Sequence, residues 1–366
     1  MSDLSNNIFA FDNIIGNQTT IKYFKNLYKN NSIAHAYILD GYEKTGKEVI
    51  AKELSRLLLC QNHGAIKNCN CSSCMGILND SNPDFFIIKS KKSSISVDDI
   101  REQILKNLET KPFKFKYKIF IIKNAETMTI QAQNALLKTI EEPPNFAIFI
   151  LLSRNYQDFL PTILSRCMLF KIECLNQKQI FNYLIQNGLE KEKAMLFTNY
   201  SQGSLGKALE LSRLSGFLEF KQSIIEDMYK LHETENLNIS YVYTLVEKYE
   251  KLKNNNSSKI SKSNKSSKNS KNSKNSNDKD KFIADITDIL DIYLLVYRDS
   301  LILKQSKDLK YVIQKDVIEL LEKLSLFSVL SLATKIDALL DAKNQLEKNA
   351  NFNMVMECLF VKISEN

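Results

Sequence analysis

The sequence predicts an α/β fold class, with a mostly parallel sheet covered by helices and then regions that are helical throughout. Two patterns carry this prediction. In the first part of the chain, short apolar runs of strand length alternate with stretches whose apolar residues recur at helical spacing, as in sheets built through helical crossovers. From about Asn176 the strand-like runs cease and helical spacing alone remains.

The first strand candidate, Ala36-Tyr37-Ile38-Leu39, leads into a glycine loop, Gly41-Tyr42-Glu43-Lys44-Thr45-Gly46-Lys47. Residues 47–60 then place Ile50, Leu54, Leu57 and Leu58 on one helical face. Further strands are expected at 85–88, 118–122 and 147–152, separated by helices at 97–108 and 129–141. Pro143 and Pro144 stop the second of these, because proline has no amide hydrogen to continue the ladder. Short helices are expected at 177–186, 189–200 and 207–213, with breaks at Gly203 and Gly206. Longer ones follow at 217–231, 239–251, 282–303, 317–324 and 354–363. The expected division is a sheet domain over 1–172, a small helical domain over 173–213 and a third, all-helical domain over 214–366.

At 366 residues the chain can bury two or three cores. Its 44% hydrophobic and 25% charged residues are ordinary for a protein in water. No apolar run approaches the roughly 20 residues that span a bilayer. The start, Met1-Ser2-Asp3-Leu4-Ser5, lacks the basic-then-apolar layout of a signal peptide, so a cytoplasmic protein without a membrane partner is expected. The net charge is +8, yet the stretch 251–281 alone holds ten lysines against two aspartates and carries the whole excess. The basic balance therefore says nothing about a nucleic-acid surface on the folded body. That stretch is nearly all Lys, Asn and Ser, too polar to offset its ordering entropy, and is expected to be disordered. We read it as a low-complexity insertion in a loop between helices rather than as a polyanion tether, because loops tolerate long insertions.

The glycine loop has the spacing of a phosphate-binding loop, in which backbone amides and a helix N-terminus surround an anion. Gly41, Gly46 and Lys47 are its candidate nucleotide-binding residues. Glu48, however, stands where a Ser or Thr hydroxyl would hold Mg²⁺, and Lys123-Asn124 follows the strand where such enzymes carry a metal-holding acid. A carboxylate about 4 Å from a phosphate charge costs on the order of 4 kcal/mol at an effective dielectric of 20. Binding of ATP and Mg²⁺ by this loop is not expected to be tight.

Four of the seven cysteines, Cys60, Cys69, Cys71 and Cys74, fall in one short stretch. In a cytoplasmic chain such density points to a structural zinc ion held by four thiolates rather than to disulfides. His63, three residues after Cys60, is an alternative ligand. Arg166, in Ser165-Arg166-Cys167, reads either as a surface ion-pair residue or as a finger acting on a neighbouring subunit.

Together these blocks make a resemblance specific. The run from Asn134 to Pro144, the Leu160 to Cys167 segment ending in Ser-Arg-Cys, and Phe11-Asp12-Asn13-Ile14-Ile15-Gly16-Asn17-Gln18 resemble the clamp-loader branch of the AAA+ ATPases. So do Ala34-His35-Ala36-Tyr37, the four-cysteine insertion at 60–74, Asn82-Pro83-Asp84 and Gly203-Ser204-Leu205-Gly206-Lys207-Ala208-Leu209. The match covers the chain outside the Lys/Asn/Ser insertion, more loosely in the helical C-terminal region. Two departures stand out: Cys69 and Cys71 are one residue closer together than is usual for the family, and Glu48 is unusual in it.

The resemblance implies an AAA+ P-loop-type sheet domain, a small helical lid domain and a helical collar domain. Motor subunits of that branch would carry Asp-Glu at Lys123-Asn124 and usually an arginine near Gly206; both are absent. What is implied is a non-hydrolysing subunit with no ATPase of its own, which presents Arg166 in trans to a neighbour's ATP. Its partners would be motor and delta subunits and, through the complex, a sliding clamp and primed DNA. One structural zinc per chain is expected. Two rival readings are a motor subunit taking its metal-holding acid from Glu126, Glu141 or Glu142, and a zinc-bearing DNA-binding module working through 60–74 and the lysine-rich insertion.

Overall fold

The structure is a computed structural model in which residues 9–90, 94–213, 216–232, 239–263, 286–348 and 350–364 are described. It divides into two compact units, one comprising 1–183 with 201–207 and the other 184–200 with 208–366.

The first unit runs α1 (Gln18–Lys29), β1 (Ala36–Asp40), α2 (Lys47–Leu59), α3 (Ser72–Leu78), β2 (Phe85–Ile88) and α4 (Val97–Ile100). A π turn (Arg101–Leu105) leads to α5 (Lys106–Leu108), followed by β3 (Lys118–Ile122), α6 (Ile130–Glu141), β4 (Ala147–Ser153), α7 (Pro161–Leu164) and β5 (Met168–Lys171). All strand pairs are parallel, in the order β2-β3-β4-β1-β5. Every residue of β1, β3 and β4 is buried, which is why these strands read as unbroken apolar runs. Successive side chains enter opposite cores, as the strand period of two requires. Tyr37 and Leu39 join Phe24, Leu54 and Ile150 on one face, while Ile38 joins Phe120, Leu136, Phe149 and Ile163 on the other. This is the α/β architecture expected from the sequence, a parallel sheet covered by helices.

Beyond β5 the described residues contain helices and no strand: α8 (Gln177–Gln186), α9 (Lys191–Tyr200), α10 (Leu205–Arg213), α11 (Phe217–Leu231), α12 (Ile239–Ser263), α13 (Ile286–Ser306), α14 (Ile318–Leu324), α15 (Val329–Glu347) and α16 (Phe352–Ser364). In the second unit α13 packs against α11, α14 and α15, and α16 against α12 and α15. Tyr249 and Tyr293 each place their rings 5.8 Å from that of Phe360 in this core. Tyr249 also donates its hydroxyl to the buried Asp227 carboxylate at 2.8 Å, so the aromatic core satisfies its own polar atoms.

Several features differ from expectation. The stretch 251–281 is not disordered throughout: α12 continues to Ser263, and residues 264–281 lie outside the described residues. A helix already nucleated by its apolar start propagates cheaply into weak helix formers, and the Lys251–Glu247 pair at i,i+4 supports that extension. The helix expected at 97–108 is interrupted by the π turn. The helix expected from 282 begins at Ile286 among the described residues. Elements not anticipated are α1, α3, the short α7, β5 and the long α15.

Candidate functional site

Parallel topology brings the carboxyl ends of β1, β3 and β4 to one edge of the sheet, where ligands of open α/β sheets bind. The loop 41–46 follows β1, Lys123-Asn124 follows β3 and Arg154 follows β4. The loop has the form of a phosphate cradle. Gly46, at φ 99°, closes it in the left-handed region that glycine enters freely, and α2 starts at the next residue. Thr45 Oγ1 donates to the Tyr42 carbonyl at 2.8 Å, tightening the turn.

The Lys47 ammonium donates to the Gly41 carbonyl and, at 2.7 Å, to the Ser153 carbonyl at the end of β4. Burial lowers its pKa, against the opposing pull of Glu126 and Asp40. Glu48 forms an ion pair with Lys123, and Lys52 stands 3.6 Å from the same carboxylate. The two residues that depart most from a metal-holding site thus neutralise each other. A Mg²⁺ ion there would meet the Lys123 ammonium rather than an acid, so these residues do not fit that ion. On the outer side of the loop, the Gly206 amide donates to the Lys44 carbonyl at 3.1 Å and Ser204 Oγ donates to the Glu43 carbonyl at 3.2 Å. A Cβ at Gly206 would lie 2.7 Å from the Lys44 carbonyl oxygen, so only glycine allows this approach.

Sequence reasoning did not single out Arg154. Its guanidinium pairs with Glu43 at 2.6 Å and lies 3.7 Å from Glu126, whose second carboxylate oxygen is buried without a hydrogen-bond partner. Burial raises the Glu126 pKa despite Arg154 and Lys47 nearby. The signal for Arg154 was its place directly after the longest of the fully buried strands.

The four cysteines converge. Cys60 caps the C-terminus of α2, and Cys71 caps the N-terminus of α3, where its sulfur accepts from the Cys74 amide at 3.5 Å. The four Sγ atoms lie within 4.8 Å of one another, and those of Cys60 and Cys69 are 3.7 Å apart. Tetrahedral zinc with Zn–S bonds of about 2.3 Å sets its sulfurs ~3.8 Å apart, so the cluster fits such an ion. Hydrogen bonding from Cys74 pushes the Cys60 thiol down to about 4, and the same contact raises the Cys74 thiol. The cluster is complete without His63, whose Nδ1 lies 3.4 Å from the Tyr28 hydroxyl. Asn62 donates to the Cys69 sulfur at 3.2 Å, and Arg56 donates to the Cys69 carbonyl at 3.5 Å.

Arg166 follows α7, half-exposed. Its Nη2 pairs with Glu141 at 3.0 Å, while Nη1 donates to the Thr162 carbonyl and to Ser165 Oγ, each at 3.2 Å. Cys167 turns into the core, where burial pushes its thiol up to about 12.

Residues 16–176 match the family profile described as DNA polymerase III, delta subunit. The chain is 26% identical to the DNA polymerase III subunit delta' of Bacillus subtilis over 346 residues, which is 94% of this chain and 95% of that one. Along these stretches the chain is similar to DNA polymerase III subunits. It is also 33% identical to the DNA polymerase III subunit gamma of Buchnera aphidicola subsp. Schizaphis graminum, over 55% of this chain. A similar match, 33% over 60% of this chain, is made to subunit gamma/tau of Mycoplasma pneumoniae. This chain spans only 57% and 33%, respectively, of the length of those two relatives, against near-complete correspondence with the delta-prime relative. Among the described residues, no helix is long and apolar enough to cross a membrane.

Proposed function

We propose that this chain is a non-hydrolysing subunit of a DNA polymerase III clamp loader and supplies Arg166 in trans to the ATP of a neighbouring motor subunit. The observation that carries this reading is the Glu48–Lys123 ion pair. It sits where a hydrolysing site needs a hydroxyl and an acid around Mg²⁺, and Lys47 meanwhile serves two backbone carbonyls. The phosphate loop is then framework, and Gly41, Gly46 and Lys47 hold shape rather than Mg²⁺–ATP.

Arg166 suits the complementary role. A guanidinium delivers a permanent charge and a planar set of donors to a transferring phosphoryl group, and Arg166 is half-exposed on the surface of its unit. Cys60, Cys69, Cys71 and Cys74 hold one structural zinc in this reading, which folds the insertion after α2 and takes no part in chemistry. The division at 172 and 213 into sheet, lid and collar domains belongs to the same proposal. So do the partners: motor and delta subunits directly, sliding clamp and primed DNA through the complex.

Two of the three candidate acids of the motor-subunit reading, Glu126 and Glu141, stand in other contacts. Glu141 is held by Arg166, and Glu126 lies beside Arg154, buried in surroundings that favour its neutral form. The two readings separate in one assay. The isolated chain is expected to turn over no ATP, and Arg166→Ala is expected to lower the DNA- and clamp-stimulated ATPase of the assembled loader without loss of assembly. ATP turnover by the chain alone, abolished by Lys47→Ala, would establish the motor reading instead.

A further inference from the structure

Arg166 is already engaged within its own chain, and the form of that engagement has a functional consequence. A guanidinium offers five N–H donors. The hydrogen bonds to the Thr162 carbonyl and Ser165 Oγ use two of them, and together with the ion pair to Glu141 they tie the side chain to two separate segments, the last residue of α6 and the turn at the end of α7. A long side chain on a surface is ordinarily spread over many rotamers. This one is tied on two sides, with donors to spare for an incoming oxygen.

Glu141 itself is fixed. It ends α6, whose Thr129 cap and buried Ala132, Leu136 and Ile140 hold the helix in the core, and Pro143 and Pro144 set its end. Of the adjacent carboxylates at 141 and 142, it is Glu141 that reaches Arg166.

We propose that Glu141 is the positioning residue for the Arg166 guanidinium, holding the fork in the orientation in which it meets a neighbour's phosphate. This rests on the trans-acting role of Arg166 proposed above. The carboxylate contributes little to folding, because both partners are about 40% exposed and such pairs are weak. Its contribution lies in geometry, where small misplacement of a charged group is costly to the reaction.

The test uses the fully assembled loader with clamp and primed DNA and compares the natural chain with Glu141→Gln, Arg166→Ala and the double variant. Glu141→Gln is expected to lower kcat about tenfold with KM for ATP and the melting temperature unchanged. The double variant is expected to be no slower than Arg166→Ala, because a positioning residue has nothing to position once the arginine is gone. If Arg166→Ala slows hydrolysis and Glu141→Gln does not, or if the two losses multiply in the double variant, the positioning role is overturned while the trans-acting arginine stands. If Arg166→Ala itself changes nothing, the trans-acting reading falls and the positioning role falls with it.

Discussion

Glu48 and Lys123 each look like damage to a phosphate site when read singly. Seventy-five positions apart in sequence, they meet because α2 starts beside the carboxyl end of β3. The exchange of a hydroxyl and an acid for an acid and a base removes the metal's ligands and keeps the local charge balanced. Both side chains are partly exposed, so their coupling is worth at most about 1 kcal/mol. Urea unfolding of Lys123→Met, Glu48→Gln and the double variant is expected to give a coupling energy inside that bound. A coupling of several kcal/mol would mean that the pair holds the fold rather than fills the site. Both anomalies were legible in the sequence; their pairing was not, because no local pattern reports which loop ends share a sheet edge.

At the scale of elements, α2 joins the two unusual features of the first unit. Its N-cap is Gly46 in the glycine loop and its C-cap is Cys60 in the cysteine cluster, with Arg56 and Glu53 paired between at 2.5 Å. Elemental analysis is expected to find about one zinc per chain. Cys74→Ser is expected to lose that zinc and to lower the melting temperature, since the metal is tied to folding of the insertion. A metal-free protein with unchanged thermal stability would remove the zinc assignment. The cysteine spacing made this cluster visible in the sequence; the meeting of all four sulfurs, with His63 beside Tyr28, was not, because folding alone determines which side chains converge.

The same logic explains which elements were legible. β1, β3 and β4 are buried along their whole length and announce themselves as apolar runs. β5 is four residues long, lies at the sheet edge and alternates partly buried with exposed positions, so its pattern is too short to read. α1 rests on three buried residues, Thr20, Ile21 and Phe24, within a polar stretch. In α15 the buried positions Leu332, Ala338, Leu339 and Ala342 are interleaved with the buried Lys335, which donates to the Ile363 carbonyl at 2.6 Å. Small and charged residues facing a core weaken the periodic signal that marks a helix.

For the molecule as a whole, the predicted response to pH comes from the helical second unit. His232 caps the end of α11 and places Nε2 2.7 Å from the Tyr297 hydroxyl. Burial first, then the positive charges of Lys335 and Lys323, lower its pKa from 6.5 to about 3. The folded state therefore keeps this imidazole neutral where the unfolded chain protonates it. Stability is full above about 6.5 and falls as the pH drops through the interval down to about 3. Between pH 6.5 and 5 the loss from this group is about 2 kcal/mol, and His232→Gln is expected to flatten that slope. An unchanged slope in the variant would place the acid sensitivity elsewhere.

The two compact units and the loader reading meet in a single quantity, the rate at which an assembled complex hydrolyses ATP on clamp and primed DNA. The most direct measurement compares single-turnover hydrolysis by loaders carrying the natural chain or Arg166→Ala, at equal amounts of intact complex. The prediction is a fall of about tenfold or more at the site that Arg166 serves, with no turnover by the isolated chain. An unchanged rate in the variant complex would contradict the claim that this chain's contribution to catalysis is one arginine given to its neighbour.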